Sequence, residues 1–365
     1  MRIARLDISV AAWVTLAVLV FCAGSEARQY RAEPLGSLGG GYGRARAMSS
    51  TGYAVGEALI PVQGTVEHAF RWYDGVMLDL GTLGGGRSRA LDVNVAGCAP
   101  GWAQNAAGAT RPVYWDSYGS IHELPTLGGR AGTAWAINDY GTMAGNAYIS
   151  DSVYRAAVWQ DGAATYLGTL GGNYSIAYDV NDGGVVAGGA DDSMGKQRAC
   201  IWRGADLIDI GRLSGGVWDT ARGVNSNGQV ILWGRPAGAA NNRAALWSGI
   251  EGDPVIDLGT FGGVESWAYG LNDLGWVVGS AEDSTGIYRA FVYDGASKTD
   301  LGTLGGLFSN AYGVTNDGIV VGYAQNSQGA WQACRWVPVP EPCSAASLAG
   351  LILIALTGAL RRRGV

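Results

Sequence analysis

The sequence predicts an all-β chain, a closed ring of seven four-stranded antiparallel sheets, on three observations. First, a Leu-Gly-x-Leu-Gly-Gly motif or a close variant begins at Leu35, Leu80, Leu124, Leu167, Ile210, Leu258 and Leu301. The gaps are 45, 44, 43, 43, 48 and 43 residues, and so regular a period marks an array of one supersecondary unit. Second, each interval reads as two β-hairpins. Third, the two ends of the array are out of phase by one strand, which is the condition for closing a β-propeller.

The unit from Thr133 to Gly172 shows the pattern. Thr133–Ile137 is a short apolar strand and Asn138-Asp-Tyr-Gly141 a turn; Thr142–Ala147 is a second strand, followed by a polar loop to Tyr154. Arg155–Trp159 is a third strand, Gln160-Asp-Gly162 a turn, and Ala164–Leu167 a fourth. Asn, Asp and Gly accept the positive φ that tight hairpin turns need. Strands such as Val277–Ala281 are apolar or small throughout, which fits sheets covered on both faces. Trp72, Trp115, Trp159, Trp202, Trp247, Tyr293 and Trp336 share one position of the third strand, where large rings can fill the gap between sheets diverging from an axis.

The Gly-Gly segment carries the chain from the outermost strand of one sheet to the innermost strand of the next. That crossing spans roughly 14 Å, and six residues reach up to ~20 Å. The last unit runs Asn310–Thr315, Ile319–Ala324 and Gln332–Val337, then meets Pro338 without a fourth strand. The missing strand is Tyr30–Leu35, at the other end of the chain. It is expected to lie beside Gln332–Val337 and close a seven-bladed propeller rather than an open solenoid.

Composition narrows the function. The chain has 60 Gly in 365 residues, is 48% hydrophobic and only 15% charged, which excludes disorder. A net charge of -6 with no basic stripe before the extreme C-terminus excludes nucleic acid as a partner. Residues 1–27 read as a secretory signal helix, with Arg2 and Arg5 before an apolar run from Val10 to Cys22. Residues 28–337 are the propeller and 338–365 a tail. The tail has Val339-Pro340-Glu341-Pro342, an apolar stretch Ala345–Leu360 read as a membrane helix, then Arg361, Arg362 and Arg363 on the cytoplasmic side. An exported chain held in the membrane only by that helix is the expected topology.

This tripartite tail resembles the PEP-CTERM sorting signal of Gram-negative bacteria. The resemblance implies an exosortase-type sorting enzyme as a partner and a cell-surface or extracellular location. His68-Ala69-Phe70-Arg71-Trp72 followed by Leu80-Gly-Thr-Leu-Gly-Gly85 resembles the HAF repeat of extracellular bacterial proteins. Other units read Arg-Ala-Ala, Arg-Ala-Cys, Arg-Ala-Phe or Gln-Ala-Cys there. This second resemblance covers residues 30 to 337 and implies fold and location, not an activity.

Catalytic signatures are absent. His68 and His122 sit at strand-surface positions, and Cys98, Cys200 and Cys334 lack metal-ligand spacing; Cys200 and Cys334 share a slot with Phe, Val and Ala and read as buried thiols. Asp79, Asp209, Asp257 and Asp300 recur before the motif and read as local hydrogen-bond acceptors. No cofactor or metal is expected, although the loops with Asp191-Asp192 and Glu282-Asp283 offer oxygen ligands for Ca²⁺.

Positions that break the repeat are free to serve a ligand. The crossings carry Tyr42, Arg44, Arg87, Arg130, Tyr174, Trp218, Asp219, Glu265, Trp267 and Phe308, and the loops on the same face add Tyr148, Tyr154, Tyr288 and Trp331. Aromatic and polar groups so mixed suit sugar stacking or protein docking. The expected function is a non-catalytic cell-surface or extracellular-matrix protein that binds exopolysaccharide or protein partners. The alternative is a secreted glycoside hydrolase or lyase using Asp219 and Glu265, which needs the carboxyls ~5–10 Å apart.

Overall fold

In the computed structural model, residues 28–61, 66–216 and 218–340 are described. Tyr30–Val339 form one compact unit of seven four-stranded antiparallel sheets. The strands of blades one to seven span residues 43–79, 84–123, 132–166, 171–209, 219–257, 262–300 and 305–338. The signal segment 1–27 and the tail from Glu341 onward lie outside the described residues. Among those described, no helix is long and apolar enough to cross a membrane.

Ring closure follows the phase offset. Tyr30–Pro34 pairs antiparallel with the third strand of blade seven, Tyr30 opposite Pro338 and Pro34 opposite Cys334. The two ends of the array then share one apolar cluster, in which Leu35, Ala45 and Trp72 pack with Val321 and Ala333.

The described residues form seven such clusters, one at each interface between neighbouring blades. Near the axis each innermost strand contributes an alanine (Ala45, Ala90, Ala134, Ala177, Ala221, Ala268, Ala311), all fully buried. Toward the rim the third strands contribute the recurrent tryptophans, of which Trp115, Trp159 and Trp336 have no exposure. Small inside and large outside is the taper that wedge-shaped gaps require. The Cys200 and Cys334 thiols are free and buried, and burial raises their pKa.

The motif explains itself residue by residue. Its Asp accepts from the Gly two residues on, as in Gly81 N to Asp79 Oδ1 at 2.8 Å. Its Thr closes the arch, Thr82 Oγ1 donating to Gly85 O at 2.8 Å. Gly84 has φ 92°, and a Cβ on Gly85 would lie 2.5 Å from the Asn105 carbonyl oxygen. We expect Gly84→Ala to cost about 1 kcal/mol through φ alone. Gly85→Ala should cost more, ~2–3 kcal/mol, because the carbonyl is backbone and cannot rotate away. Thermal unfolding of the two variants checks the order.

Blade five departs from the pattern. An extra residue in Ile210-Gly-Arg-Leu-Ser-Gly-Gly is absorbed by a 3₁₀ turn, Leu213–Gly215, with Ser214 at φ 45°. This is the unit with the 48-residue gap.

Candidate functional site: an aromatic cleft and the axial chamber

The crossings pack directly against the loops between second and third strands, so both emerge on one face, as the sequence predicts. On that face, between blades six and seven, a cleft of about 250 Å³ is walled by Trp267, Tyr269, Tyr288, Phe308, Tyr323 and Trp331. Both innermost strands arrive there with a register shift after the crossing, between Gly262 and Ser266 and between Gly305 and Ser309. The arched residues between carry Glu265 and Phe308 out over the sheet. The ring centres of Phe308 and Trp331 are 5.8 Å apart, and those of Tyr323 and Trp331 are 5.0 Å apart. Ser280 and Asn310 also line this cleft, and Ser280 Oγ and Asn310 Oδ1 are buried without a hydrogen-bond partner.

Other predicted residues join its edge. The Tyr288 hydroxyl donates to Glu265, and Asn242 approaches the same carboxylate at 3.5 Å. Burial and the Glu265 charge raise the Tyr288 pKa. Arg44 lies 4.6 Å over the Tyr323 ring and 5.9 Å from the Tyr42 ring. Trp267, Phe308, Trp331, Glu265, Arg44 and Tyr42 are thus brought together.

The remainder stand elsewhere. Tyr174 packs at a tilt against Tyr154, ring centres 5.1 Å apart, in a smaller cluster that includes Tyr148. Arg87 is exposed on blade two, the exposed Arg130 lies 3.6 Å from Asp151, and Trp218 is half-buried. Asp219 requires a correction. It is 1% exposed, its Oδ1 accepts from Leu213 N at 3.3 Å, and burial pushes its pKa up to about 6. The physical reason is its slot. Ser88, Ser175, Ser266 and Ser309 hold the equivalent position and accept a backbone N–H from the preceding blade. Asp219 is a scaffold residue in that slot and does not line the cleft that Glu265 borders.

Asp192 and Asp283 are engaged in their own turns, each accepting two backbone N–H groups and facing an arginine. Among the described residues, no group of three or more His, Cys, Asp or Glu could hold a metal ion.

Sequence reasoning missed the axis. Innermost strands carry a bulge after the buried alanine, and the bulged residues are Arg46, Trp135, Tyr178, Arg222, Tyr269 and Tyr312. With Leu91 of blade two, they line an axial chamber of about 230 Å³. A bulge re-aims a side chain out of the sheet. The signal was present: the residue three before each hairpin turn varies widely while its neighbours do not. Arg46 is neutralised by a two-pronged pair with the fully buried Glu57, at 2.7 and 3.0 Å.

Asp92 and Asp179 also face the chamber. Each spends one oxygen on its own strand and one on the next blade, Asp92 on Val93 N and Ile137 N, Asp179 on Val180 N and Val224 N. Burial pushes their pKa values up to about 6 and about 7. A raised folded pKa means the native state binds more protons than the unfolded chain, so these groups add stability as pH falls from about 7 toward 4. Depressed carboxyls such as Asp283, at about 2, act only below that window. Unfolding temperatures are therefore expected to be higher at pH 5 than at pH 8, with Asp179→Asn flattening the difference.

No family model matches the chain, and no curated protein matches it. Solved structures do. The β-propeller domain of the trilobed protease from Pyrococcus furiosus, described as having an open velcro topology, superposes with a TM-score of 0.55 at 11% identity, covering 83% of this chain and 98% of that one. A puromycin-hydrolyzing peptidase of Mycobacterium tuberculosis gives 0.55 at 11% identity, over 86% of this chain and 55% of that one. A puromycin hydrolase complexed with PGG gives 0.50 at 16%, over 82% and 52%. This chain spans about half the length of those two enzymes. Such likeness fixes the seven-bladed fold alone. It also overturns the expectation that the chain is not an enzyme: rings of this shape occur within proteins named as a protease and as hydrolases, so the fold does not separate catalytic from non-catalytic chains.

Proposed function

We propose that the chain is an exported propeller of the HAF-repeat type, displayed at the cell surface or in the extracellular matrix of a Gram-negative bacterium, and that its aromatic cleft binds exopolysaccharide. The observation that carries this reading is the cleft itself, with six aromatic walls of Trp, Tyr and Phe over two unpartnered polar atoms, Ser280 Oγ and Asn310 Oδ1. Aromatic faces cover the C–H faces of sugars, and buried polar atoms without partners are completed by hydroxyl groups. Stacking and hydrogen bonding of this kind need no cofactor. In this proposal the signal at residues 1–27 exports the chain. The tail, with Pro340, Glu341, Pro342 and Arg361–Arg363, is read by an exosortase-type enzyme.

Trp331→Ala is expected to weaken binding to the extracellular polysaccharide of the source bacterium about tenfold, the worth of one stacking ring. Tyr140→Ala should leave it unchanged, because Tyr140 is 79% exposed on a hairpin turn of the opposite face. Equal binding by the Trp331 variant and the wild type would refute the cleft, and capture of envelope protein instead of glycan would redirect the reading to protein docking.

A further inference from the structure

Arg222, in the axial chamber, is a cation with one donor that the scaffold leaves unpaired. The Arg222 guanidinium lies 3.6 Å from the Tyr178 ring centre and 4.1 Å from that of Trp233. Its Nε is buried without a partner, and burial lowers its pKa. The carboxylates that face the chamber, Asp92 and Asp179, have both oxygens engaged by backbone N–H groups, and Glu57 is committed to Arg46 with Arg44 at 3.6 Å. Of the equivalent positions in the other blades, five hold Leu91, Trp135, Tyr178, Tyr269 and Tyr312, and the sixth holds Arg46, which Glu57 pairs, so most blades close the ring without a cation there. Asp179 lies within the electrostatic reach of Arg222 and Tyr178 is hydrogen-bonded to its guanidinium, but neither satisfies Nε, and a buried donor left unpaired is costly. An unpaired guanidinium donor at a position where another blade carries Leu91 points to a partner supplied from outside.

The chamber and the cleft share a wall. Trp267, a cleft wall, packs edge-on against Trp233 at 4.7 Å, and Trp233 stacks on Arg222. Tyr269 lines both the cleft and the chamber. Charge is polarised along the axis. Arg44, Arg46 and Arg222, against Glu57, lie toward the cleft, whereas Asp139, Asp182 and Asp273 ring the mouth on the opposite face. An anionic group is therefore drawn in from the cleft side and repelled at the other.

We infer that the ligand is an acidic saccharide, one whose sugar rings stack in the cleft and whose carboxylate reaches the guanidinium of Arg222. A planar carboxylate matches the arginine fork, and the stacked rings of Tyr178 and Trp233 hold that fork in place before the ligand arrives. This inference rests on the cleft being a glycan site.

The test uses full-length protein with tetragalacturonate as the acidic probe and cellotetraose as a neutral probe of equal length, followed by calorimetry and Trp233-sensitive fluorescence. Wild type is expected to bind tetragalacturonate at least tenfold tighter than cellotetraose, with a fluorescence change for the acidic probe alone. Arg222→Gln should bring the two affinities together, and Arg222→Leu, which copies the Leu91 side chain, should do the same while unfolding at a temperature no lower than wild type. Trp331→Ala should weaken both probes alike. Equal wild-type affinities, or Arg222 variants that keep the preference, would overturn the acidic assignment while leaving the cleft reading intact. Failure of both probes to bind would overturn the two together.

Discussion

A chain lacking Tyr30–Pro34 is expected to unfold 10 °C or more below the intact protein, on the order of 5 kcal/mol lost from the ladder and the rings it covers. That strand supplies the outer position of blade seven, with Ala32 opposite Trp336 and Glu33 opposite Arg335. Without it the third strand of blade seven becomes a bare edge, and Leu35, buried between blades one and seven, loses the strand that seats it there. The Arg335 guanidinium also loses the Glu33 carboxylate at 2.9 Å. A peptide spanning residues 28–36, added in trans, should dock on the vacant edge and restore most of the lost stability, since main-chain pairing carries the recognition. Calorimetry of the truncated chain with and without peptide decides it. An unchanged transition, or no response to peptide, would mean that the apolar seam alone closes the ring.

This closure was legible in the sequence because periodicity and phase are properties of the chain alone. The motif positions were legible for the same reason: Asp79 and Thr82 act on residues within a few positions of themselves, whereas Gly85 recurs because the neighbouring strand's Asn105 carbonyl leaves no room for a Cβ. Site residues were harder. Trp267, Phe308 and Trp331 were visible as breaks in the repeat, but their union in one cleft depends on which blades are neighbours and on how far each crossing arches. Asp219 misled because its slot is filled elsewhere by serine or glycine, and only the fold shows that the slot faces inward. The axial residues escaped because a bulge reverses the side to which a residue points, and alternation cannot register a residue that belongs to neither face.

Asn272→Ala should be the costliest single change on the opposite face, ~3 kcal/mol, because three backbone partners lose one side chain. Asn272 Oδ1 accepts from Leu274 N at 3.1 Å and Trp276 N at 2.9 Å, while Nδ2 donates to Thr315 O at 3.0 Å. The first two bonds hold its own hairpin turn and the third ties blade six to blade seven. Asn94, Asn138, Asn181 and Asn225 make the same inter-blade bond, so a belt runs from blade two to blade seven. Asn272→Asp separates the two roles, since it keeps both accepting contacts and loses the donor. It should cost about half as much and speed hydrogen exchange in the blade-seven turn rather than in its own. A loss below ~1 kcal/mol for the alanine variant would show that water replaces the amide. The belt ends at the seam, where Thr315 and Ser49 take the asparagine position and turn their hydroxyls to their own hairpins. The N-terminal strand belongs to blade seven, and its Tyr30 and Ala32 pack in the cluster between blades six and seven, the interface that Asn272 ties, so the two perturbations share an interface and should not simply add. Combined with loss of Tyr30–Pro34, Asn272→Ala is expected to destabilise by more than the sum, because blade seven is then untied on both sides.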